Sequence, residues 1–220
     1  MRSVSLVAML LMAAVVAAPR AGAAILQDPG FELSVDGTLT SNSAWVLTSN
    51  IPDGLSLAAQ FSDLNIPGKG GLMMVWFKSF EGMFDPGDPA AQAELMQMVN
   101  ATPGVYDLTF RAKLEAHFTA GQAFVEISSD VGDLQAFDLF SIPTGIFGDF
   151  AINNFIASAG TTKLTIRAVM VDGVFADMNP QSLLLDDFNL TGGGEVPEPG
   201  TMALLGSGLV CLWFAKRRRG

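Results

Sequence analysis

Between residues 25 and 191, apolar residues come in short runs or alternate with polar ones, and Gly, Pro, Asn and Asp divide the runs. Alternation of period 2 predicts strands, because it turns one face of a strand to a core and the other to water. The clearest case is Tyr106-Asp107-Leu108-Thr109-Phe110-Arg111-Ala112-Lys113-Leu114, introduced by the turn signal Thr102-Pro103-Gly104. Thr165-Ile166-Arg167-Ala168-Val169 alternates in the same way. Strands are predicted over 72–77, 95–99, 105–114, 123–128, 134–140, 148–156, 163–171 and 182–190. Segment 89–99 holds good helix formers in Ala90, Ala91, Ala93, Glu94 and Leu95, so a short amphipathic helix competes there. Loop with at most one helical turn, then strand, is the favoured reading of that segment. The pattern as a whole predicts an all-β sandwich occupying 24–191.

Both ends of the chain depart from this pattern. Met1-Arg2-Ser3 precedes an apolar run over 4–18 that is shorter than the roughly 20 residues a spanning helix needs. Pro19 and small residues follow, and Ala21-Gly22-Ala23 fits the small-x-small cleavage rule. Residues 1–23 therefore read as a secretory signal peptide, with Ala21 and Ala23 at the cleavage site. At the other end, 192–200 form a Gly/Pro linker containing Val196-Pro197-Glu198-Pro199. An apolar stretch over 201–215 reads as a single transmembrane helix, and 216–220, with Lys216-Arg217-Arg218-Arg219, as a cytoplasmic basic tail by the positive-inside rule. Fifteen helical residues reach only about 22 Å across a core of about 30 Å, which suits a temporary anchor better than a permanent one.

Val196-Pro197-Glu198-Pro199, the apolar stretch and the Arg cluster, in that order and spacing, resemble the PEP-CTERM sorting signal of Gram-negative bacteria. The resemblance covers about the last 25 residues. It implies an exosortase as partner, with cleavage near Pro-Glu-Pro. The protein would be an inner-membrane precursor, then a surface, envelope or matrix protein associated with exopolysaccharide.

The charge is unevenly spread. Six of the 12 basic residues lie in the two ends, while all 22 acidic residues fall between 24 and 200, leaving that stretch at about −16. Such a surface repels phosphate backbones, so nucleic acid is not an expected partner. The one cysteine, Cys211, lies in the apolar tail, and no disulfide framework can staple the domain.

A second resemblance covers nearly the whole domain. Asp28-Pro29-Gly30-Phe31-Glu32, Trp45, Gln97-Met98-Val99 leading into Thr102-Pro103-Gly104-Val105-Tyr106, and Leu184-Leu185-Asp186-Asp187-Phe188 occur in that order. Together they resemble the galactose-binding-domain-like jelly roll of many carbohydrate-binding modules. The stretch 77–89 departs from that pattern. The resemblance implies that the first and last strands lie close and that Glu32 and Asp187 are candidate ligands for a structural Ca²⁺. Two carboxylates are only part of the 6–8 oxygens that Ca²⁺ takes. The competing reading makes Glu32 a cap or a solvated carboxylate and Asp186 and Asp187 edge charges.

No catalytic residue is assigned, and the protein is not expected to be an enzyme. His117 is the single histidine, and no Gly-x-Ser-x-Gly elbow is present. Asp85-Pro86-Gly87-Asp88 and residues 130–133 read as turns. Trp45, Trp76, Phe77 and Tyr106 are the aromatics a sugar could stack on, although each is more readily a core residue, and the sugar-binding residues stay unassigned. A structural or adhesive protein of an exopolysaccharide matrix, or a carbohydrate-binding module for it, is the function expected.

Overall fold

The computed structural model describes residues 26–39, 44–49 and 57–193. The cleavage positions Ala21 and Ala23, the motif Val196-Pro197-Glu198-Pro199, the predicted transmembrane helix and the basic tail lie outside the described residues. Among the described residues, no helix is long and apolar enough to cross a membrane.

Ten described strands form two five-stranded antiparallel sheets. The strands are β1 (Val46–Ser49), β2 (Ala59–Ser62), β3 (Met74–Lys78), β4 (Ala91–Asn100), β5 (Gly104–Leu114), β6 (Gln122–Ser129), β7 (Leu134–Asp138), β8 (Gly148–Ala157), β9 (Lys163–Gly173) and β10 (Ser182–Gly192). One sheet, here sheet A, has the order β1-β4-β9-β6-β7, and sheet B has the order β2-β3-β10-β5-β8. The molecule is an all-β sandwich, as the alternation predicts.

Alternation explains the core. In β5, Tyr106, Leu108, Phe110, Ala112 and Leu114 are buried, while Asp107, Thr109, Arg111 and Lys113 face outward. β4 requires a correction: the strand begins at Ala91, with no helical turn before it. Ala91, Ala93, Leu95 and Val99 alternate inward. Pairing along almost all of β9 then overrides the helix propensity of the alanines. The predicted strand over 134–140 is shorter, because Asp138 accepts a bond from the Phe140 amide and starts the 3₁₀ turn Leu139–Ser141. β1 and β2 were not predicted. They are four-residue edge strands, too short for a period to show.

The outward sides of the two sheets differ. On sheet B, Met74 and Leu184 sit on the side away from the core yet are 0% and 1% exposed. Loop 63–73 reaches β10 beside them, with the Gly70 amide bonded to the Asp186 carboxylate. Loop 142–147 comes alongside, where Phe147 lies against Gly68 and under the Arg111 guanidinium. On sheet A, outward Val46, Met98 and Leu134 are exposed. Outward Val169 of sheet A is also buried and outward Val105 and Ile156 of sheet B are exposed, so the difference is one of extent, and around β10 sheet B is the more covered face.

Candidate functional site

The fragments of the jelly-roll resemblance meet in space. Phe31, Trp45 and Phe188 pack ring to ring, with centroids 5.3 Å apart for Phe31–Trp45, 5.4 Å for Trp45–Phe188 and 6.0 Å for Phe31–Phe188. The Trp45 indole N–H donates to the Asp28 carbonyl at 2.9 Å, and the Phe188 amide donates to the Pro29 carbonyl at 2.9 Å. Segment 26–39 is therefore joined to β10 as expected, but through turns and not as a strand. Across the sandwich, the Gln97 amide fixes the same segment with paired bonds to the Gln27 backbone, each 2.8 Å.

Beside that junction β10 bulges. The β10–β5 register shifts between Asp186 and Asn189, and Asp187 takes a positive φ of 47°. A bulge re-aims side chains, and this one sends two successive carboxylates toward loop 63–73. Asp186 accepts from the Gly70 amide and from the Asp187 amide, both at 2.7 Å. Glu32 Oε1 accepts from the Leu72 amide at 2.8 Å and the Met73 amide at 3.1 Å. A Cβ on Gly70 would run into the Asp187 carboxylate, and one on Gly71 into the Glu32 carboxylate. The structure thus brings Glu32 and Asp187, the two candidate Ca²⁺ ligands, to adjacent glycines of one loop. Asp186 belongs to the same cluster. Burial raises its carboxyl to about 7, and the negative charges of Asp187 and Glu32 push the same way. Arg111, with Nη1 3.8 Å from Asp187 Oδ2, is the cation beside them, and it also pairs with Asp149 at 3.0 Å. Among the described residues, no three acidic, histidine or cysteine side chains converge closely enough to hold a metal on their own.

The outward face of sheet A carries a second group. Glu94 of β4, Arg167 of β9 and Glu126 of β6 form a charge ladder across three strands. Arg167 Nε lies 3.1 Å from Glu94, and Nη1 lies 3.3 Å from Glu126. Two shallow depressions flank this ladder. One, of 220 Å³, is lined by Thr48, Gln92, Glu94, Val169 and Val171 among others. The other, of 360 Å³, involves Gln122, Phe124, Ala136, Asp138 and Phe140. Apolar surface, two rings and several amides and carboxylates are the groups a sugar needs.

Of the four aromatics a sugar could stack on, three take the core positions that the sequence favoured for them. Trp45, Phe77 and Tyr106 are buried core residues. Tyr106 spends its hydroxyl on the Thr102 carbonyl at 2.6 Å. Trp76 faces outward from sheet B and is half-buried, donating to Ser182 Oγ at 2.8 Å beneath the Lys78 ammonium. Phe124, which lines the second depression, was not singled out from the sequence. The turn readings hold: the Asp88 amide donates to the Asp85 carbonyl, and the Gly132 amide to the Ser129 carbonyl. The His117 backbone bonds to Pro180 and Thr119.

The sandwich is of the kind found in carbohydrate-binding modules. It aligns with TmCBM61, solved in complex with β-1,4-galactotriose, at a TM-score of 0.50 and 22% identity, covering 76% of this chain and 97% of that one. It also aligns at a TM-score of 0.52 and 14% identity with the enzymatically active domain of bacteriophage CBA120 tailspike protein 4, over 77% of this chain and 21% of that one. The arabinose-bound α-L-arabinofuranosidase MgGH51 gives the same score and identity, with 26% of its length covered. At these identities the likeness is one of fold. No curated protein matches the chain in sequence. Residues 195–219 match the PEP-CTERM protein-sorting motif, the signal of an exported protein sorted to the cell surface.

Proposed function

We propose that this chain is a non-catalytic, exosortase-processed surface or matrix protein whose sandwich binds polysaccharide on the outward face of sheet A. The observation that carries the reading is the contrast between the two outward faces. Met74, Leu184 and Asp186 in the middle of sheet B are buried, whereas sheet A leaves Glu94, Arg167, Phe124 and two depressions partly in solvent. The leader, the membrane helix before processing, the jelly-roll connectivity and an adhesive role in exopolysaccharide or biofilm belong to the same reading. The experiment is affinity electrophoresis of the full chain, held in a polyoxyethylene detergent, through gels containing a panel of polysaccharides. At least one polymer should retard it, and Phe124→Ala should weaken that retardation about tenfold, the loss of one ring contact. A chain that migrates unretarded through every gel overturns the reading. It would favour a purely structural matrix component, which the scarcity of exposed rings on this face also suits.

The Glu32–Asp187 cluster is, in this reading, a structural Ca²⁺ site. The donors are all oxygens, the glycines leave room, and the local charge is in negative excess. Backbone carbonyls and water would complete the 6–8 ligands. Such an ion would tie segment 26–39 and loop 63–73 to β10 and take no part in sugar contact.

A further inference from the structure

The four edge strands differ in how they are guarded. β1 and β2 are four residues long, and segment 26–39 closes the rim of β2, where the Gly37 amide donates to the Phe61 carbonyl and the Phe61 amide to the Thr38 carbonyl, both at 2.9 Å. β7 is five residues long and passes straight into the turn Leu139–Ser141. β8 is ten residues long, and among the described residues its backbone pairs with β5 alone. Short strands, covering segments, prolines and lysines keep a sheet edge from pairing with another chain. β8 has no proline or lysine, and its one charge, Asp149, is engaged by Arg111 at 3.0 Å. It has one guard, a bulge in which Asn154 takes a φ of 58° and gives its amide to the Asp107 carboxylate at 2.7 Å. Apolar side chains stand along the same rim. Ile146 precedes the strand, Ile156 lies near its end, and Leu134 of β7 shares a depression of 350 Å³ with Ile156. These three are 70%, 66% and 63% exposed.

Which backbone groups of β8 are free follows from the ladder. On β5, the Val105 carbonyl accepts from Gly193 and the Glu115 amide donates to Ser182, both toward β10, so odd-numbered residues face β10 and even-numbered ones face β8. Gly148, Phe150 and Ile152, opposite Ala112, Phe110 and Leu108, are therefore spent on β5. Asp149, Ala151 and Asn153 turn their N–H and C=O groups to the free side, and Gln135 reaches the Asn153 carbonyl there at 3.5 Å. We infer that this edge docks a second copy of the chain, which adds its own β8 antiparallel and joins two sheets B into one. The edge matches itself. A two-fold axis at Ala151 sets Ala151 against its own copy and Asp149 against the second copy's Asn153, an acid facing an amide. It also brings the Ile146 end of each strand to the Ile156 end of the other, where the exposed apolar surface is covered. The inference does not rest on glycan binding, but it bears on it. The axis is normal to the sheet, so both sheet A faces point the same way and one dimer can hold a polymer at two places.

The test uses the full chain with Cys211→Ser, so that no native thiol interferes, in polyoxyethylene detergent at about 0.15 M salt. Sedimentation velocity should show a monomer–dimer equilibrium in the micromolar range, as befits a short ladder with few apolar groups. Ala151→Lys, which sets two ammonium groups at the axis, should weaken it about tenfold or more and leave the melting temperature unchanged. Ala151→Cys should cross-link to a disulfide dimer in oxidised glutathione, since paired Cα atoms about 5.5 Å apart suit that bond. Thr48→Cys, on the short strand β1 at the opposite rim, should not. A chain that stays monomeric throughout, or equal cross-linking of the two cysteine variants, overturns the inference. So does a dimer indifferent to Ala151→Lys, which would place the contact in the apolar tail or on another face. Should Ala151→Lys not fold, the two cysteine variants decide the matter.

Discussion

Asp186 and its neighbours set a pH response with a definite sign. The folded state holds a proton on Asp186 up to about pH 7, whereas the unfolded chain releases it near 3.8. Between those values the folded state binds more protons, so stability falls as pH rises. Asp130 and Asp133 act the other way. A hydrogen bond from Thr162 lowers the first and bonds from Ser158 lower the second, so what they contribute is lost as pH falls below the ordinary carboxylate range. In EDTA, the melting temperature of the full chain should therefore peak near pH 4 to 5 and decline toward pH 8. Saturating Ca²⁺ should remove most of the decline, adding about 2.7 kcal/mol at a hundred times Kd. Glu32→Ala should abolish that metal response. A midpoint at pH 8 indifferent to both EDTA and Ca²⁺ would show that these carboxylates are solvated charge. Glu32 and Asp187 were legible in the sequence through the resemblance. Gly70 and Gly71 were not, because nothing local marks a glycine that clears room for a carboxylate brought from the far end of the chain. Glu94, Arg167 and Glu126 were hidden for the same reason, since only strand register makes them neighbours.

Among the elements, β5 and β9 were readable because long alternation leaves one consistent register. The start of β4 was misread because its alanines satisfy helix and strand alike, and the pairing with β9 decides. Segment 26–39 is the element with the least regular structure of its own. Its position depends on Phe31 and Trp45 packing against Phe188 and on the Gln97 clamp. Trp45→Ala removes a fully buried ring together with the bond to Asp28. It should cost about 3–5 kcal/mol in chemical denaturation. It should also weaken any Ca²⁺ response, because Glu32 rides on that segment. Loss of stability with an unchanged metal response would mean that the two are independent.

For the whole molecule, the sorting tail gives the simplest test. Mass spectrometry of protein recovered from an exosortase-positive host should find the leader gone and the chain ended near Pro197–Pro199. Replacing Pro197-Glu198-Pro199 with alanines should leave precursor in the inner membrane. Intact mature protein still containing Trp213 would refute processing. The place where the sandwich meets this tail also has a mechanical meaning. β10 lies between β3 and β5, bonded to both, and Gly193 still donates to the Val105 carbonyl at 3.0 Å as the chain leaves. Tension arriving from beyond Gly192 runs along the strand, so it loads in shear the β5 ladder that flanks residues 189–192 and, further in, the Ser182–Leu185 stretch that β3 holds as well. The strand that would carry the tether is the one the sheet grips on two sides.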